Sequence, residues 1–145
     1  MKASEWLERG AAAVDPFEAL SNYWRGFNNL FAGQGPERQL ISAFLQSKID
    51  EQFAQDLINT NEKEARELLS TPVVDMRGSG KDTSRYIAQF GAAATPLEKL
   101  DALFMIIYQV RCNFEHGQKS PSRARDQILC GAACPFVAEV VRRAI

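Results

Sequence analysis

Apolar residues in this chain return every three or four positions almost from end to end. No stretch alternates with the two-residue period of a strand over a length that builds a sheet. This pattern predicts an all-α, single-domain helical bundle. The start signals are explicit. Asp15-Pro16-Phe17-Glu18 puts a capping acid at the N-cap, proline at the first helical position and a glutamate at the third, and Thr95-Pro96-Leu97-Glu98 repeats the arrangement. From the first signal, Phe17, Leu20, Trp24, Phe27 and Phe31 mark one face of a long helix at about 16–32, which Gly33-Gln34-Gly35-Pro36 stops. From the second, the longest and most apolar helix runs at about 96–116 and ends on Gly117 in the C′ position. Shorter helices are predicted at 4–13, 37–48, 51–59, 62–70 and 82–90. Residues 71–80, with Pro72, Gly78 and Gly80, are read as a loop. A last helix spans about 123–143, and Pro135 must kink or interrupt it.

Composition narrows the class further. The 145 residues suit one core, and 46% apolar with 24% charged residues is globular rather than disordered. No apolar run approaches the ~18 residues of a membrane helix, so no membrane partner is expected. The first ten residues carry Glu5, Glu8 and Arg9 and lack the apolar stretch of a signal peptide. Three cysteines without a C-x-x-C pair make neither a disulfide framework nor a metal site. The expectation is a cytoplasmic protein with no metal and no cofactor. The net charge of −1 hides an asymmetry: residues 1–75 hold 7 Lys/Arg against 12 Asp/Glu, and residues 76–145 hold 10 against 6. The second half can present a phosphate-binding surface, or the charges can be scattered over solvated helix faces.

Three local patterns have bland explanations. Arg77-Gly78-Ser79-Gly80-Lys81 looks like a phosphate-binding loop, but Asp75 stands where the first glycine belongs, the hydroxyl is on Thr83 rather than residue 82, and no strand precedes it. It is read as a flexible basic loop. Cys130 and Cys134 lie one turn apart with no histidine near them in sequence and are read as core. Trp24, Phe27 and Phe31 are read as core as well.

The informative segment is 108–119. At about 100° per residue, Leu100, Phe104, Ile107 and Phe114 fall within a band of about 80°, and Arg111 lies at its centre. A guanidinium is always charged, so burial there demands an acidic partner, a subunit interface or a bound anion. Glu115 at i+4 can pair with it, in the weaker Arg-before-Glu orientation, for only ~0.3 kcal/mol. A cleft or a dimer interface suits the position better. His116 is the only histidine in the chain. It can serve as an acid/base group, or as a cation on the carbonyls of the helix end. Gly117 ends the helix there and allows the last turn to swing the ring toward Arg111.

Arg111-x-x-x-x-His116 on the penultimate long helix, followed by Gly117 and Lys119, resembles the HEPN (higher eukaryotes and prokaryotes nucleotide-binding) superfamily, whose signature is an arginine and a histidine four to six residues apart. Val110-Arg111-Cys112-Asn113-Phe114-Glu115-His116-Gly117 is similar to the family's R-N-x-x-x-H-G form, and Trp24, Phe27 and Asn28 resemble its W-x-x-F-N stretch. The residue after the arginine, often Asn, Asp or His in the family, is Cys112 here, with Asn113 one place on. No tyrosine stands two residues after His116, so the R-x4-H-x-Y variant does not apply. The resemblance implies a dimeric helical bundle and metal-independent endoribonuclease activity, as in toxins or antiviral and abortive-infection effectors. It also implies that a cognate antitoxin or regulatory protein can be a partner. Arg111 and His116 match the catalytic pair, with Asn113 and Glu115 as supporting polar groups. RNA contacts are expected from Lys119, Arg123 and Arg125, and less directly from Arg77, Lys81 and Arg85. Because each chain has one histidine, two imidazoles meet only across a two-fold axis. The alternatives are a catalytically silent module of this type that binds RNA or a protein, and an all-α interaction protein whose Arg111 pairs with Glu115.

Overall fold

The computed structural model describes residues 2–115 and 123–145, and within them the chain is all-helical. The order is α1 (Lys2–Ala12), α2 (Pro16–Phe31), α3 (Glu37–Lys48), α4 (Glu51–Thr60), α5 (Glu62–Leu69), α6 (Ser84–Ala92), α7 (Pro96–Glu115) and α8 (Ala124–Ala144). Both predicted start signals work as their chemistry requires. The Asp15 carboxylate accepts the Phe17 amide at 2.8 Å, with Pro16 opening α2. At α7 the Thr95 hydroxyl accepts the Glu98 amide and donates to the Glu98 carboxylate, both at 3.2 Å. Asp50 caps α4 through the Phe53 amide at 2.7 Å.

Helix α7 is the axis of the molecule. It packs against α2, α3, α4, α5, α6 and α8, and Leu100, Leu103, Phe104, Ile106 and Ile107 have no exposed surface. Helix α2 lies between α1 and α8. The approach of α1 is close because Gly10 has no side chain: a Cβ there would sit 2.4 Å from Cδ1 of Tyr23. Trp24, Phe27 and Phe31 are core, and rings of Phe44 and Phe104 close on Phe27 at 5.4 and 5.3 Å. Cys130 is fully buried and Cys134 half-buried; burial pushes the Cys134 thiol up to about 12.

Of the two outcomes open at Pro135, interruption does not occur: the last helix continues from Ala124 to Ala144. Proline removes one backbone donor and crowds the carbonyl four residues back. Its neighbours Phe136 and Val137 are fully buried, and their packing holds the helix across that position. The loop read at 71–80 is part of a hydrogen-bonded hairpin that pairs residues 73–75 with 81–83, and Arg77–Lys81, read as a flexible basic loop, spans its turn. The Thr83 amide donates to the Val73 carbonyl (3.1 Å), the Val73 amide to the Thr83 hydroxyl (2.8 Å), and the Asp75 amide to the Lys81 carbonyl (2.9 Å). Gly78 and Gly80, at φ 85° and 77°, supply the left-handed turn that other residues resist. The pairing amounts to a single antiparallel bridge between Val74 and Asp82, with no sheet among the described residues.

Candidate functional site: an arginine-lined pocket on the tryptophan of α2

Arg111 sits near the C-terminal end of α7, where that helix passes α2. It is half-buried, and its guanidinium carbon lies 5.7 Å from the centroid of the Trp24 ring. A planar cation over an indole face is attractive through the ring quadrupole, and it tolerates partial desolvation better than a hydrated ammonium. The apolar band anticipated around Arg111 is real: Leu100, Phe104, Ile107 and Phe114 are all buried. A cavity of about 340 Å³ opens beside it, walled by Phe17, Trp24 and Phe114 and edged by Ser21, Arg25 and Arg111. Phe17 and Phe114 face each other with ring centroids 4.5 Å apart. None of the described residues lining the cavity is acidic. Trp24 itself is buried, and its indole N–H has no acceptor among the described residues.

Arg25 and Ser21 belong to this site although no motif or spacing in the sequence marks them. They stand four residues apart on α2, hence on one face, and Arg25 directly follows the tryptophan that carries Arg111. Arg25 donates to the Asn22 side chain at 3.2 Å and lies 5.1 Å over the Trp6 ring, which keeps it extended along α2.

Asn113 points elsewhere. Two residues after Arg111 is a rotation of about 200°, and its side chain lies against the hairpin on another side of α7. It is buried, accepts from the Met76 amide (3.2 Å) and from Gln109 Nε2 (3.0 Å), and donates to the Val74 carbonyl (2.9 Å). The structure thus separates Asn113 from the Arg111 pocket and makes it the tie between hairpin and helix. Cys112, beside it, is buried. Arg123 is exposed immediately before α8. Arg125 is exposed and donates to the Thr71 carbonyl at 3.0 Å, so α8 is tied to the loop that follows α5. The side chain of Glu115, and His116 and Lys119 entirely, lie outside the described residues.

Arg77, Lys81 and Arg85 gather with Arg38 around a second and larger cavity, about 920 Å³, between the hairpin, α3 and α7. Tyr86 and Tyr108 form part of its wall. Burial, together with the neighbouring Cys112, pushes the Tyr108 phenol up to about 12, so it stays protonated at neutral pH.

The described part of the first pocket can neutralise and orient an anion next to a planar group. Proton transfer needs a group that titrates near neutrality, and His116 is the only imidazole the chain has. Among the described residues no cluster of His, Cys, Asp and Glu could hold a metal, and no helix is long and apolar enough to cross a membrane. No protein-family model, curated protein or solved structure matches this chain.

Proposed function

We propose that this chain is a HEPN-type ribonuclease: a homodimer that cleaves RNA without metal, acting as a toxin or as an antiviral or abortive-infection effector. The observation that carries the reading is Arg111, a half-buried guanidinium held on Trp24, five residues before the only histidine. Its pocket is lined by a second arginine and, among the described residues, by no carboxylate. Such a pocket has the charge and shape for a phosphodiester and its flanking base. In the proposed reaction the ribose 2′-oxygen attacks phosphorus while His116 takes the hydroxyl proton. Arg111 balances the charge that grows on the phosphorane oxygens. The bond from phosphorus to the 5′-oxygen then breaks, and the leaving oxygen is protonated by the second imidazole, His116 of the other copy. The products carry 2′,3′-cyclic phosphate and 5′-hydroxyl ends.

A silent binding module of the same type is the second reading. What favours it is Asn113, whose three hydrogen bonds are spent on the hairpin and on Gln109. One experiment separates the two. Purified protein is incubated with single-stranded RNA in EDTA and the fragment ends are analysed. The nuclease reading expects cyclic-phosphate and 5′-hydroxyl ends, lost in both Arg111→Ala and His116→Ala while circular dichroism is unchanged. RNA shifted on a gel but left intact supports the silent module and sinks the nuclease.

A further inference from the structure

The two cavities are joined by a continuous ladder of arginine and aromatic side chains. Arg111 lies over Trp24 at 5.7 Å, and Trp24 meets the Tyr108 ring at 6.1 Å. Arg38 lies 4.6 Å from the Tyr108 centroid and 4.9 Å from that of Tyr86, and Arg85 covers Tyr86 at 4.7 Å. The ladder crosses α7, α2, α3 and α6 and ends in the larger cavity under the hairpin.

Arg38 is the unusual member. It is half-buried, it donates to the Met105 carbonyl at 2.9 Å and to Gln109 at 3.4 Å, and no carboxylate of the described residues pairs with it. Lys81 and Arg85, at the rim, have no carboxylate partner among the described residues either. Three acids share the lining: Asp75 accepts the Arg77 amide and the Ser79 hydroxyl and pairs with the Arg77 guanidinium, Asp82 accepts the Ser84 amide, and Glu37 stands at the edge with no ion pair to Arg38. A cation fixed by neutral acceptors and ring faces keeps its charge for an outside anion.

We propose that this hairpin groove binds the phosphodiester backbone of single-stranded RNA, Arg38 at its floor and Lys81 and Arg85 at its rim. That the bound strand is RNA destined for cleavage rests on the ribonuclease reading; binding of a phosphodiester strand in the groove does not. Guanidinium planes stacked on tyrosines also offer bases a flat cationic surface, which suits an unpaired strand.

The test is fluorescence anisotropy with a labelled 2′-O-methyl RNA strand of about ten nucleotides, which has no free 2′-hydroxyl to attack, titrated from about 50 to about 200 mM salt. The variants are Lys81→Gln/Arg85→Gln, both on exposed positions, and Arg38→Gln, with thermal melts as folding controls. The expected result is binding weakened about tenfold or more in the double variant, with the slope of log K against log salt reduced by about 0.7 for each phosphate no longer neutralised. Unchanged affinity and slope in the folded double variant, no binding by the unaltered protein at low salt, or a mononucleotide binding as tightly as the strand each overturns the proposal. If the unaltered protein binds through these residues but cuts nothing, the groove stands without the nuclease. If it cuts RNA and the double variant binds and cuts equally well, the nuclease stands without the groove.

Discussion

Arg111 shows what a single residue can and cannot announce about itself. Its place in an apolar band is legible from spacing alone, because the helix repeat puts it between Ile107 and Phe114. That a tryptophan from α2 would meet it is not legible, since nothing local links position 24 to position 111. The ring selects arginine over lysine, because a planar cation stacks where a compact ammonium does not. Under the nuclease reading, Arg111→Lys should lower the cleavage rate by about 10²-fold while leaving the melting temperature within a few degrees, measured by initial rates and calorimetry. Asp101 gives a second prediction. Burial raises its carboxyl above the usual range, partly opposed by the Ser42 hydroxyl, which donates to it at 2.7 Å. The native state therefore holds that proton to higher pH than the unfolded chain does. This contribution to stability is largest below the unfolded value of about 4 and is lost as pH rises through the raised native value. Asp101→Asn removes this dependence and still accepts from Ser42. Urea unfolding should show it gaining stability relative to the parent as pH rises.

At the scale of elements, the hairpin and its attachment to α7 decide how the basic groove is shaped. Glycines and a proline foretell a break between α5 and α6, but they do not reveal pairing. That depends on Asn113, whose partners Val74 and Met76 lie 39 and 37 residues away. Asn113→Leu would leave the Met76 amide, the Gln109 amide group and the Val74 carbonyl without their partner. A cost of about 2–4 kcal/mol is expected in urea unfolding, from buried polar groups left unsatisfied. The hairpin should also respond to acid. Backbone and hydroxyl donors hold the Asp75 and Asp82 carboxyls below the usual carboxylate range. Their support is thus complete above the unfolded value and is lost as pH falls through the lowered native one. Amide resonances of Arg77 and Ser84 should shift together at acidic pH, and Asp75→Asn should suppress the change at Arg77 alone.

The whole molecule is built around one aromatic cluster, in which Trp24, Phe31, Phe44 and Phe104 all pack on Phe27. Phe27→Ala should cost about 3–5 kcal/mol, read from the urea midpoint at unchanged slope. Helix number, helix limits and most of this core follow from the order of residues, because the helical repeat and the capping acids act within a few positions of themselves. The caps at Asp15 and Thr95 are such local facts, and so is the apolar stripe of α7. The surroundings of the charged side chains follow different rules. Arg25 joins Arg111, Arg38 slips between Tyr86 and Tyr108, and Asn113 turns to the hairpin only after α2, α3 and α6 have closed on α7. Those neighbours are far apart along the chain, so no periodicity encodes them, and the packing of the core alone determines which cation meets which ring.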